Sequence, residues 1–70
     1  MIDIKRKYGK RLRQLRKAKG LSQEELAFRS GLHRTYVSDL ERGTRNVSLE
    51  NIEKIAKVLG LELSELFKGI

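Results

Sequence analysis

Arg34, Thr35, Ser38 and Asp39 are spaced i, i+1, i+4 and i+5, so a helix through them carries all four on one stripe, opposite Val37 and Leu40. A guanidinium fork, hydroxyls and a carboxylate can read donors and acceptors on a partner without being activated. Groups for making and breaking bonds are scarce by contrast. The 70 residues include no cysteine and a single histidine, His33, so no disulfide, thiolate metal site or multi-histidine centre can be built. The glycines at 9, 20, 31, 43, 60 and 69 stand singly, unlike a phosphate-cradling loop or the Gly-rich turn around a nucleophile. We therefore expect no enzyme activity, no metal and no cofactor.

Charge narrows the class of partner. Sixteen Lys and Arg against nine Asp and Glu leave +7, and a basic domain attracts polyanions, nucleic acid first among them. Charge alone does not decide, since small domains are often basic for solubility. Membranes are disfavoured: no apolar run approaches spanning length, and the cations of residues 5–19 surround an apolar stripe that the core needs. The basic start lacks a following apolar stretch, so no secretory signal is expected and the cytoplasm is the expected location.

The elements that must hold the reading stripe follow from apolar spacing and caps. Ile4, Tyr8, Leu12 and Leu15 line one face of a helix over about 4–19, with Gly20 as its stop. Ser22-Gln23-Glu24-Glu25 is a capping box opening a helix from Gln23 to Ser30, with Leu26 and Ala27 inward and Gly31 at its end. A third helix runs from His33 to about Arg42, with His33 at its start and Gly43 closing it. Ser48 caps a fourth, whose inner face is Leu49, Ile52, Ile55, Ala56 and Leu59, stopped at Gly60. Ser64 caps a last turn over Glu65 to Lys68. The prediction is a single all-α domain over 1–70, a compact five-helix bundle without strands. Its core is Leu15, Leu21, Leu26, Val37, Leu40, Val47, Leu49, Ile52, Ile55 and Leu59. A short turn at Gly31 makes the second and third helices cross steeply, with Ala27 at their near approach.

From Leu21 to about Leu66 the chain resembles the Cro/repressor-type (XRE) helix-turn-helix family. The resemblance is carried by Leu21-Ser22-Gln23-Glu24-Glu25-Leu26-Ala27, Gly31 and Val37-Ser38-Asp39-Leu40-Glu41-Arg42-Gly43. It continues through Ser48-Leu49, Ile52 and Ile55-Ala56-Lys57-Val58-Leu59-Gly60. Leu32-His33-Arg34-Thr35-Tyr36-Val37-Ser38 and Arg45-Asn46 are most similar to restriction–modification controller proteins. Two positions depart from the family pattern. Ser30 replaces a common aliphatic, which suggests looser packing, and Phe28 replaces a common polar residue, leaving it either at the core edge or exposed.

The resemblance implies a repressor-like, sequence-specific regulator of transcription, with the helix-turn-helix at about 23–42 and double-stranded DNA as its partner. Arg34, Thr35, Ser38 and Asp39 become the candidates for reading base edges. Gln23 is expected to bond a phosphate at a helix N-terminus, the alternative being an ordinary solvent-facing residue. Tyr36 lies against the DNA backbone or a thymine methyl, or simply covers the core edge. Arg42, Arg45 and Asn46 approach phosphates or the minor groove, or form a solvated loop. Arg16 and Glu41 match positions that form a partly buried ion pair. His33 is a neighbour or cap of the third helix, not a ligand.

After Gly60 the apolar residues Leu61, Leu63, Leu66, Phe67 and Ile70 are more than one small domain can readily cover. They are candidates for a homodimer contact within 61–70, the alternative being that they close the monomer core. The rival function is an antitoxin or adaptor acting through a different protein partner.

Overall fold

A computed structural model describes residues 3–70, and the elements in order are α1 (Ile4–Ala18), α2 (Gln23–Ser30), α3 (Arg34–Arg42), α4 (Leu49–Leu59) and α5 (Leu63–Leu66). Among the described residues there is no strand. No helix among the described residues is long and apolar enough to cross a membrane. The helices pack α1 on α3 and α5, α2 on α3 and α4, and α4 on α5. They enclose one core in which Leu12, Leu26, Val37, Ile55, Leu59 and Leu66 are fully buried.

The caps explain the boundaries. Ser22 Oγ accepts the Glu25 N–H at 3.0 Å while the Glu25 carboxylate accepts the Ser22 N–H at 3.1 Å, so two otherwise orphaned donors are satisfied reciprocally. Ser48 Oγ accepts the Asn51 N–H at 3.1 Å. Asp3 caps α1 through Lys5. His33 is the N-cap of α3 through its backbone only, with no side-chain cap bond.

Three expectations need correction. Ser64 does not cap the last helix: α5 begins at Leu63, Glu62 is its N-cap, and no side-chain bond closes it. Leu63 and Leu66 bracket the turn, and burying Leu66 fixes where the helix starts. Leu49 is not core but 82% exposed; as the first residue of α4 it points away, while Ile52, Ile55, Ala56 and Leu59 carry the inner face. Leu66, proposed as a dimer contact, lies inside the monomer. At the family departures, Phe28 is 86% exposed. Ser30 is buried with its hydroxyl donating to the Leu26 carbonyl at 2.7 Å, so the polar group there is satisfied. Leu15, Leu21 and Val47 are half-buried against the core, and Ile4, the start of the apolar stripe, is exposed.

A close backbone approach occurs at Gly9. A Cβ at Gly9 would strike the Leu40 carbonyl and lie 2.7 Å from the Glu41 carbonyl oxygen. Lacking a side chain, Gly9 lets α1 lie directly on the C-terminal turn of α3. One residue before it, Tyr8 is buried against Phe67, ring centroids 5.6 Å apart. Its hydroxyl has no hydrogen-bond partner among the described residues, and burial pushes the phenol above its usual range.

Candidate nucleic-acid interface

The turn between α2 and α3 is set by Gly31, whose φ of +74° is left-handed, with its N–H bonded to Ala27 and Phe28 carbonyls. The Leu32 N–H then bonds the Ala27 carbonyl at 2.8 Å. Leu26 and Ala27 on one helix and Val37 and Leu40 on the other are buried, so the outer side of α3 is determined by what its inner side must cover. Arg34 and Thr35 are exposed and Ser38 is half-exposed on that outer side, as their spacing predicts.

Beside the start of α3 lies the N-terminus of α2. A shallow cleft there is lined by Arg13, Arg16, Ser22, Gln23, Glu24 and Arg34. It combines a helix's positive end with guanidinium groups, the electrostatics that attract an anion. Gln23 is half-buried, and its side-chain amide donates to Glu41 at 3.0 Å. One of the two amide N–H groups is thereby committed, leaving the other for an outside acceptor. The Glu25 carboxyl is held below its ordinary range, first by the Ser22 backbone N–H and then by the Ser22 hydroxyl.

Below this cleft the Arg16–Glu41 pair has the geometry the resemblance implied. Arg16 Nε donates to Glu41 at 2.6 Å and Nη2 at 3.0 Å, while Nη1 donates to the Leu21 carbonyl at 2.7 Å. The two side chains are 9% and 4% exposed. The hydrogen bond to Glu41 holds the guanidinium still more firmly protonated. Helix α1 is thus tied to α3 and, through Gln23, to α2.

The loop after α3 folds back on the helix. Asp39 pairs with Arg42, and its other oxygen is 3.5 Å from Arg45. The Arg45 guanidinium stands 5.2 Å from the centroid of the Tyr36 ring, cation–π distance. The Tyr36 hydroxyl donates to the Asn46 carbonyl at 3.5 Å and accepts from the Asn51 amide at 3.0 Å. Tyr36 is half-buried, so it serves both as core edge and as a platform under Arg45. Arg42, Arg45 and Asn46 are all exposed. Asp39, a candidate for reading base edges, has both oxygens facing arginines and a side chain 17% exposed. Asn51 was missed by sequence reasoning. Its one signal is a polar residue on the first turn of an amphipathic helix, where a capping role alone accounts for it.

Of the C-terminal candidates, Leu63 and Phe67 are 47% and 38% exposed, and Leu61 and Ile70 are half-buried against the core. Among the described residues no cluster of His, Cys, Asp or Glu is arranged to hold a metal.

Two helices joined by a tight turn, with an outward polar stripe on the second beside an arginine-lined cleft at the start of the first, define a helix-turn-helix domain. The helix-turn-helix family model HTH_3 matches residues 12–66, and the chain belongs to that family. Within it, the chain is similar to control protein C.BamHI of Bacillus amyloliquefaciens, 57% identical over 65 residues, covering 91% of this chain and 80% of that one. It superposes on the crystal structure of the restriction–modification controller protein C.AhdI of Aeromonas hydrophila with a TM-score of 0.88 at 63% identity, covering 90% and 96% of the two chains. It is also similar to the biofilm regulator SinR as solved in complex with DNA, with a TM-score of 0.82 and 37% identity, covering 87% and 98%.

Proposed function

We propose that the protein is a sequence-specific, double-stranded DNA-binding regulator of transcription that works as a homodimer in the cytoplasm, of the kind represented by restriction–modification controller proteins. The observation that carries this reading is the free stripe of Arg34, Thr35 and Ser38 along the start of α3, next to the cleft at the start of α2. Helix α3 enters the major groove with its N-terminal half toward the base edges. Arg34 forks onto guanine O6 and N7, Thr35 offers its methyl to thymine and its hydroxyl to a base edge, and Ser38 is a short adaptable donor. The second N–H of Gln23, with Arg13 beside it, fixes a phosphate and so sets the register without reading sequence. A two-fold pair presents its two recognition helices to half-sites about 34 Å apart, one turn of DNA. The molecule acts without catalysis, because binding alone changes how polymerase uses a promoter.

Selecting bound duplexes from a random pool tests the symmetric, spaced half-sites, and fluorescence anisotropy on one selected and one random duplex tests the electrostatics. Affinity on both should fall with salt at a log–log slope of about −0.9 per neutralised phosphate. A flat response on both duplexes, together with tight capture of a different protein, would favour the antitoxin or adaptor alternative.

A further inference from the structure

Asp39 lies on the reading stripe, yet it turns its charge toward the protein. One oxygen pairs with Arg42 and the other lies 3.5 Å from Arg45. The loop is held against it at further points. The Asp39 carbonyl accepts the Thr44 N–H at 3.0 Å and the Thr44 hydroxyl at 3.2 Å, and Arg45 stacks on Tyr36 from the same helix. Arg42 and Arg45 are the exposed cations of this edge, with side chains 66% and 50% exposed, while the acid between them is largely covered. A carboxylate so engaged directs its charge at the loop cations and not at an outside partner.

We infer that Asp39 is a positioning residue that limits DNA affinity by restraint: it holds Arg42 and Arg45 on the protein and withholds their charge from phosphates. The inference rests on the DNA-binding reading above. Non-specific binding is almost wholly phosphate neutralisation, whereas specific binding adds base contacts that do not depend on these arginines. Withholding two cations therefore removes the same phosphate contribution from both. The acid thus lowers absolute affinity for both and leaves the difference between them to the base contacts.

The test is anisotropy on selected and random duplexes across a salt series, for wild type, Asp39→Asn, Arg42→Gln/Arg45→Gln, and the triple variant. Freeing both arginines should steepen the random-duplex slope by up to about 1.8, at 0.9 per phosphate, and raise low-salt affinity on the order of tenfold or more. The ratio of specific to random affinity should stay unchanged, because both complexes gain the same phosphate contacts. In the background lacking both arginines, Asp39→Asn should change neither slope nor ratio. An unchanged slope in Asp39→Asn, or the same gain without the arginines, overturns the restraint and leaves only long-range charge. A wild type without salt-dependent binding sinks the DNA-binding reading instead. Nitrogen relaxation of the Arg42 and Arg45 side chains in the DNA-free wild type needs no variant: restricted motion is expected, and free rotation overturns the inference.

Discussion

Glu41 accepts from Arg16 Nε, Arg16 Nη2 and Gln23 Nε2 at 2.6, 3.0 and 3.0 Å, which leaves a largely buried charge dependent on one cation. Removing one member of such a pair strands the other, at a cost of about 3–5 kcal/mol. Glu41→Gln should lose stability of that order in urea denaturation, and replacing both partners by apolar residues should lose less. A loss below 1 kcal/mol would mean water reaches the site. Arg34 calls for a different measurement. If it reads guanine, Arg34→Ala should lose about 1–3 kcal/mol of discrimination at one position per half-site, measured by titrating single-base operator variants; equal losses on random DNA would assign it to phosphate. The stripe of Arg34, Thr35 and Ser38 was legible because helical spacing alone places residues opposite Val37 and Leu40. The engagement of Asp39 was not. The i, i+3 spacing to Arg42 hints at a pair, but Arg45 returns only because the loop folds back. Asn51 and Tyr36 meet across 15 residues of sequence, a contact no local pattern encodes.

The helices themselves were read from periodicity and caps, and the capping box before α2 is the strongest of these signals because it satisfies two donors reciprocally. Where tertiary burial outweighed a local signal, the reading failed. Ser64 has the chemistry of a cap, yet α5 starts before it so that Leu66 can reach the core. Gly9 was legible only as punctuation, since nothing nearby in sequence reveals that the end of α3 lies against it. Gly9→Ala is therefore a test of how α1 packs. Alanine gains about 1 kcal/mol of helix propensity, but its Cβ meets carbonyl oxygens that belong to a helix backbone and cannot rotate away. Overpacking of this kind costs roughly 1–3 kcal/mol or more, so a net loss is expected in thermal denaturation. A gain in melting temperature would show that α1 can lift off α3 freely.

At the scale of the whole molecule, +7 over 70 residues makes association with DNA fast and salt-sensitive. Self-association then depends on how much apolar surface remains outside the core. Leu66 is spent inside, so Leu63 and Phe67 are the exposed pair on the C-terminal segment. If the proposed dimer forms through this pair, Leu63→Glu should sediment as a monomer where wild type associates, and should bind a single half-site with weakened affinity for the full operator. Wild type remaining monomeric even on the operator would remove the two-fold model. The placement of the aromatic residues has an experimental use as well. The chain has two tyrosines and no tryptophan; Tyr8 is sealed beside Phe67 and Tyr36 lies under Arg45 next to the proposed groove-facing stripe. Its intrinsic near-ultraviolet signal therefore has one chromophore reporting on the interior and one on the proposed operator-facing surface. Unlabelled protein can distinguish melting from docking spectroscopically.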